Sequence, residues 1–232
     1  MRTICVIPVR GGSKGIPRKN AVELIDGVSL LEWTIRQAQQ VYSPEDIVVS
    51  TEDDELSSIA AACRATVVLR PADLAQDHST TASVVEHLLA SIDADAIHFL
   101  AITILQVTSP LRGVDDIVRS VEMIKTGVYD SVVSAYETME CHPAKLYFMM
   151  PEGAVSVSPE YETLRRQDLP KVFRRNGAIF IVTRQYFNRT GRLWGGKVGL
   201  VQMSKERSID IDAPADLEAA RRLLSSRQKE GF

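Results

Sequence analysis

Two stretches near opposite ends of the chain carry residue types that can do chemistry together. The first is Ile7-Pro8-Val9-Arg10-Gly11-Gly12-Ser13-Lys14-Gly15-Ile16-Pro17-Arg18-Lys19-Asn20. Four cations, Arg10, Lys14, Arg18 and Lys19, stand here among three glycines. Glycines let the backbone turn tightly and approach a ligand, and clustered cations beside bare backbone N–H groups suit a polyphosphate. The second stretch is Ser208-Ile209-Asp210-Ile211-Asp212-Ala213-Pro214. Alternate side chains of an extended segment share a face, so Asp210 and Asp212 point one way while Ile209 and Ile211 point into the core. Two carboxylates on one face form a hard-oxygen site for magnesium. Asp212 has a competing use, as the cap of a helix starting near Pro214, but capping leaves Asp210 unexplained.

Two common phosphate motifs do not fit the basic stretch. A Walker loop ends in Gly-Lys-Ser/Thr and enters a helix at once, whereas Gly15 is followed by Ile16-Pro17. The dinucleotide fingerprint G-x-G-x-x-G does not match the spacing of Gly11, Gly12 and Gly15. A merely solvated basic turn is the alternative, and the position directly after the first apolar run weighs against it. Phe173-Arg174-Arg175-Asn176-Gly177 precedes another apolar run, where two readings stand: an anion site at a strand mouth or a charged surface turn. His78, His87, His98 and His142 have no partners at ligand spacing and read as structural or solvated. Ser13, Ser50 and Ser109 belong to no Ser/His/Asp arrangement. Glu52, Asp53 and Asp54 read as caps of the next helix.

These residues need a scaffold, and the apolar pattern supplies one. Thr3 to Val9 is a continuous apolar run, expected of a parallel strand covered on both faces. After an Asp26-Gly27 turn, Ser29 caps a helix over Leu30 to Val41 with Leu31, Ile35 and Ala38 inward. Ile47 to Ser50 is a second strand, Leu56 to Cys63 a helix and Thr66 to Leu69 a third strand. A polar loop, Arg70 to Asp77, leads into a helix from about Ser79 to Ile92, and Ala96 to Leu105 is the longest β-like run. A helix over Val114 to Lys125 and strands at Ser131 to Ala135, Ala178 to Thr183 and Val198 to Met203 follow, with a closing helix from Pro214 to about Ser225. This β-α-β alternation predicts an α/β fold, a doubly wound, mostly parallel sheet with ligands at the carboxyl ends of its strands. Residues 136–175 break the pattern with four prolines and little periodicity, and predict a lid or a dimerisation segment inserted between domain parts 1–135 and 176–232.

At 232 residues and 45% apolar composition the chain can bury a substantial core, and its net charge of −3 argues against a nucleic-acid partner. No run approaches the roughly 18 apolar residues of a membrane helix, and the N-terminus shows no signal-peptide pattern, so no membrane partner and a cytoplasmic location are expected. Cys5, Cys63 and Cys141 form no C-x-x-C pair, and neither a disulfide nor zinc is expected.

Six stretches in order carry a resemblance: the basic loop, V-V-S-T-E-D-D-E, R-P-A-D-L-A, L-Q-V-T-S-P-L-R, F-R-R-N-G-A-I-F-I and S-I-D-I-D. Together they resemble the N-acylneuraminate cytidylyltransferases, which activate sialic acids and related nine-carbon sugar acids. The resemblance implies a Rossmann-like nucleotidyltransferase fold, CTP and a sugar acid as substrates, magnesium as cofactor, and a homodimer. It implies that Arg10 and Lys19 hold the CTP phosphates, with Gly11, Gly12, Ser13 and Asn20 beside them, and that Arg70 and Thr81 contact the nucleoside. Gln106 would bind the sugar acid, Arg174 would help form the acceptor pocket, and Asp210 and Asp212 would hold the metal, with Arg10, Lys19 and Asp210 as the catalytic set. Lys145 and Arg166 would reach a neighbouring subunit's site. Three departures stand out: Val107 stands where the family often has proline, Arg175 and Phe180 where many members have proline and tyrosine, and Thr81 where serine is usual. N-acylneuraminate is the leading acceptor, with pseudaminate, legionaminate and 3-deoxy-octulosonate as alternatives, and a non-catalytic nucleotide-binding regulator is the reading from another class.

Overall fold

The computed structural model describes residues 2–13, 15–95 and 98–229; Lys14, Ala96 and Ile97 lie outside them. The elements run β1 (Thr3–Pro8), β2 (Glu23–Ile25), β3 (Val28–Ser29), α1 (Leu30–Gln39), β4 (Ile47–Thr51), α2 (Asp54–Ala62), β5 (Thr66–Leu69), α3 (Thr81–Ile92) and β6 (Ala101–Leu105). They continue with α4 (Val114–Lys125), β7 (Ser131–Glu137), β8 (Tyr147–Met150), β9 (Gly153–Ser156), β10 (Phe173–Thr183), α5 (Arg184–Thr190), β11 (Val198–Gln202) and α6 (Pro214–Lys229).

Seven strands form one sheet in the order β5-β4-β1-β6-β10-β7-β11. All are parallel except β10, which is antiparallel to both β6 and β7. The alternation of side chains along β1 explains why the sheet is covered twice. Cys5 and Ile7 join Leu31, Ile35, Leu56, Ile117 and Ala220 in one apolar cluster, under α1, α2, α4 and α6. Ile4 and Val6 join Val85, Leu88 and Phe187 in the other, under α3 and α5. Each such Leu or Ile fully withdrawn from water contributes about 1.5–3 kcal/mol. Helix starts are fixed as their sequences require: Ser29, Asp53 and Thr80 each accept a bond from a backbone N–H three residues on, worth about 1 kcal/mol apiece. The Asp26-Gly27 turn closes the β2–β3 hairpin with both residues at positive φ, 50° and 76°, the backbone that a two-residue hairpin demands.

From β1 the chain winds outward through β4 and β5, then crosses to β6 on the other flank of β1. The connections reverse at that point, which opens a crevice beyond the carboxyl ends of β1 and β6. The antiparallel β10 crosses close by. Its ladder with β7 shifts register between Arg175 and Phe180, and Gly177 takes φ +79° inside the shift. Asn176 is buried there, donating to Ser208 Oγ at 2.9 Å and accepting from Ser134 Oγ at 2.6 Å, so a polar network fixes the bulge.

Several boundaries differ from the sequence expectation. β6 begins at Ala101 rather than 96. β10 begins five residues before Ala178, because Phe173 and Arg174 pair with Glu137 and Tyr136 at the end of β7; two arginines in its first turn of pleat hide it from an apolar-run criterion. α6 continues past Ser225 to Lys229. α5, an Arg-Gln-Tyr-Phe-Asn-Arg-Thr segment, has too polar a sequence to be read as a helix, and is set instead by the Thr183 cap and the left-handed Gly191. Between β7 and β10 the chain forms the β8–β9 hairpin, whose four β8 residues are all exposed. No helix among the described residues is long and apolar enough to cross a membrane.

Candidate active site

The basic loop leaves β1 and lines a cavity of about 290 Å³ at the crevice, together with residues from the ends of β5 and β6 and the start of α3. Arg10, Gly12, Ser13, Lys19, Asn20, Arg70, Thr81 and Gln106 all face it. Two glycines of the loop are there for close approach rather than for left-handed backbone. A Cβ on Gly11 would run into the Asp53 side chain, and one on Gly15 into the main chain of Asp212. The left-handed turn falls on Arg18, φ 56°. Asn20 donates to the Arg10 carbonyl at 2.9 Å, and Gly11 N–H donates to Glu52 at 2.8 Å. Both bonds pin the loop.

The loop cations have carboxylate partners. Arg10 pairs with Asp77 at 2.9 Å, Arg18 with Asp53 at 2.6 Å and also with Glu55, and Lys19 with Asp212 at 3.2 Å. Exposed pairs of this kind contribute at most about 1 kcal/mol each, so exchanging these partners for another anion costs little. Arg70 is buried and donates from Nε to Glu52 at 2.9 Å and from Nη2 to the Val9 carbonyl. It lines the cavity while bracing the loop from behind.

Two larger chambers continue from the first. One, of about 830 Å³, shares Thr80, Thr81, Gln106 and Thr108 with it and adds Phe180, Trp194 and Asp210. The other, of about 710 Å³, shares Gly177, Phe180, Trp194 and Asp210 with the second and adds Tyr136, Arg174, Arg175, Asp212 and Asp216. Gln106 thus stands between a basic end and a mixed aromatic and charged end. Its position is set from behind by Arg112, which is fully buried and donates to the Gln106 carbonyl at 2.7 Å, the Ala178 carbonyl at 3.0 Å and Thr34 Oγ1 at 3.0 Å. Burial also pulls the Arg112 guanidinium down to about 10.

Asp210 and Asp212 do share a face, with Ile211 fully buried between them. The segment is held to the β6 loop by Ile211 N–H donating to the Thr108 carbonyl at 2.8 Å. Asp210 keeps open surface, yet the cleft walls partly withdraw its carboxyl from water, and this, first, pushes it above its ordinary range; a Thr108 hydrogen bond opposes this, and the charges of Asp212 and Asp216 add to it. The helix-cap alternative for Asp212 finds a different residue in that place. Asp216 accepts from the backbone N–H groups of Asp212 at 3.1 Å and Ala213 at 2.8 Å, while the Asp212 carboxylate faces Lys19.

The structure therefore brings Arg10, Gly12, Ser13, Lys19, Asn20, Arg70, Thr81, Gln106, Arg174, Asp210 and Asp212 onto one continuous cleft, with Gly11 in its loop. Lys145 and Arg166 are exposed and line none of these three chambers. Asp53 caps α2 as expected, but Glu52 serves the loop and Arg70 instead. His142 is fully buried and bonded to the Pro170 carbonyl and the Ala144 N–H, a structural role. Trp194 went unread in the sequence; its signal was an aromatic residue between glycines in Gly191-Arg192-Leu193-Trp194-Gly195-Gly196.

A mostly parallel sheet with a basic loop after its first strand and a carboxylate pair facing it defines a nucleotidyltransferase-type α/β protein. The chain belongs to the cytidylyltransferase family, whose model matches residues 4–230. It is 33% identical over 219 residues to an N-acylneuraminate cytidylyltransferase of Streptococcus agalactiae serotype V, a match covering 93% of this chain and 52% of that protein. It is 33% identical over 238 residues to a CMP-N,N'-diacetyllegionaminic acid synthase of Legionella pneumophila, covering 99% of each. The chain spans about half the length of the curated N-acylneuraminate cytidylyltransferases it matches. Among solved structures it resembles a CMP:2-keto-3-deoxy-manno-octonic acid synthetase complexed with CTP, with a TM-score of 0.74 at 15% identity, over 98% of this chain and 100% of that one. At that identity the likeness is one of fold.

Proposed function

We propose that this chain joins CMP from CTP to a nine-carbon sugar acid, N-acylneuraminate first, releasing pyrophosphate, and that it works as a cytoplasmic homodimer. The observation that carries this reading is the continuity of the cleft: a cavity lined by loop cations opens, past Gln106 and Asp210, into chambers large enough for a sugar acid. A sugar hydroxyl oxygen forms a bond to the α-phosphorus of CTP, the bond from that phosphorus to the β-phosphate oxygen breaks, and pyrophosphate leaves with the electron pair. The hydroxyl proton passes to solvent or to a base. Such a reaction needs positive charge along the triphosphate and a fixed acceptor. Arg10 and Lys19 supply the charge, Gly11, Gly12 and Ser13 bring backbone close to the phosphates, and Asn20 keeps the loop in shape. Arg70 and Thr81 take the nucleoside end; Gln106 and Arg174 take the acceptor.

The residues present fit magnesium. Asp210, Asp212 and Asp216 line one chamber, and the charges of Asp212 and Asp216 add to the burial that pushes Asp210 upward. Magnesium takes one or two carboxylates together with substrate phosphates and keeps several waters, and Asp210 and Asp212 stand on one chamber of the cleft. Asp210 and Asp212 would hold it, and bound there it would stabilise charge developing on the phosphates.

Legionaminate is the second acceptor, favoured by the match over the whole length of the Legionella protein. A pure nucleotide-binding regulator has no use for the carboxylate pair in the cleft. Pyrophosphate release from CTP, measured across N-acylneuraminate, N,N'-diacetyllegionaminate, pseudaminate and 3-deoxy-octulosonate with and without magnesium, is the test. Magnesium-dependent release with one of these acids is expected. Tight CTP binding with no release on any of them would leave the regulator reading in its place.

A further inference from the structure

The bulge in β10 does more than interrupt a ladder: it sets Arg175 against an aromatic ring at the acceptor end of the cleft. Its guanidinium carbon lies 4.1 Å from the centre of the Trp194 ring. Trp194 is in turn packed on Phe180, ring centres 5.3 Å apart, and all three line the 710 Å³ chamber with Asp210. The backbone that aims Arg175 is fixed by the buried Asn176 network and by Gly177 at φ +79°. The partners of the nearby cations sharpen the contrast. Arg10, Lys19 and Arg70 face Asp77, Asp212 and Glu52, and Arg174 lies in the field of Glu140. Among the described residues no carboxylate pairs with Arg175; an indole face holds it instead.

A guanidinium held over an aromatic face keeps N–H donors free at its edge, and those donors match a planar carboxylate in two parallel bonds. We infer that Arg175, held by Trp194, is a specificity-determining residue that binds the carboxylate of the acceptor. This rests on the sugar-acid reading above and adds the group within this chain that recognises the acid function. Neutral sugars and esterified acids lose that contact, and CTP does not use it.

The experiment compares the sugar acid turned over by the wild-type enzyme with its methyl ester, in wild type, Arg175→Met and Arg175→Lys. Wild type is expected to favour the free acid over the ester by roughly ten- to hundredfold in kcat/KM. Arg175→Met should raise the KM for the acid by a similar factor and shrink the preference to within about twofold, with the KM for CTP unchanged. Arg175→Lys, which keeps charge but not the planar fork, should recover part of the preference; being the milder change, it also serves if the methionine variant does not fold. The chain has two tryptophans, so the emission change caused by the acid and absent in Trp194→Leu reports binding at this ring independently of turnover. A wild-type preference for acid over ester that survives in Arg175→Met and Arg175→Lys overturns the inference and leaves the proposed reaction standing. A wild-type enzyme that turns over no sugar acid and shows no emission change overturns both.

Discussion

Lys19 and Asp212 meet across the cleft at 3.2 Å, and the same ammonium donates to the Ile211 carbonyl at 2.6 Å. The two residues are 193 positions apart in sequence. A loop that follows the first strand is thus fastened to the segment that precedes the last helix. The lysine side chain is 12% exposed and that of Asp212 79%, so the lysine is held by main chain while the carboxylate stays open to the cleft. One cation lies at the border between the region proposed for phosphates and the region proposed for metal.

Arg10→Ala and Lys19→Ala are expected to raise the KM for CTP. Each removes a charge-assisted contact worth about 1.5–3 kcal/mol, or roughly ten- to hundredfold. Arg10 is exposed enough that its loss costs little folding energy. Steady-state kinetics with thermal denaturation alongside separates the two effects; unchanged CTP kinetics in both variants would take the basic loop out of the reaction.

Asp116 connects the aspartate segment to the body of the protein. It is buried near the start of α4, accepts from Gly113 N–H at 2.8 Å, and bonds Arg119 and Arg207, the residue just before Ser208. Burial alone would raise this carboxyl, and the Arg207 guanidinium, the Gly113 N–H and Arg119 together outweigh it, so the net position is below the usual carboxylate range. A depressed carboxylate stabilises the fold above its unfolded value, near pH ~4, and that contribution is lost as pH falls through the folded value. Asp116→Asn should therefore cost about 2–3 kcal/mol at neutral pH. The Tm difference from wild type should narrow as pH is lowered below about 4. A gap that stays constant down to acid denaturation would show that the ion pairs contribute nothing.

The hairpin of β8 and β9 exposes Tyr147 and Phe148 at 59% each and Met149 at 83%. So much apolar side chain at one place on a surface marks an interface, and a second copy of the chain is the expected cover. Sedimentation at assay concentration should give a dimer, and Phe148→Ser with Met149→Ser should shift it to monomer. If Lys145 and Arg166 act across that interface, the monomeric variant should lose turnover with its CTP affinity kept. An active wild-type monomer would end both expectations.

What was legible in the sequence had a local cause. The apolar run of β1, the Ser29 cap, the Asp-Gly turn and the alternation of Asp210 and Asp212 each depend on neighbours a few residues away, and each stands in the structure. The parts that were not legible depend on distant partners. Glu52 reads as a helix-capping acid until Gly11 and Arg70 are placed around it. Two arginines concealed the first residues of β10, since only pairing with β7 makes them a strand. Asp216 is one acid among several in a helical turn, and its bonds to two backbone N–H groups belong to a loop whose path the sequence does not announce. Trp194 has no periodic companions, and its place on the cleft follows from where Phe180 and Arg175 project.

The carboxylate pair gives the sharpest distinction between an enzyme and a binder. Asp210→Asn and Asp212→Asn preserve shape and remove the charge that a cation requires. Both should lose most of their turnover, while CTP affinity falls less, since Arg10 and the loop backbone remain and the loss bears mainly on charge developing in the transition state. Asp212→Asn is the more informative of the two. Asparagine caps a helix about as well as aspartate, and the backbone N–H groups before α6 are already taken by Asp216, so the helix start is untouched on either account. What the substitution does remove is the partner of Lys19, an exposed pair with small energetic weight. Wild-type, magnesium-dependent turnover in Asp212→Asn would mean that this carboxylate serves only to tether Lys19, and that the metal is held elsewhere.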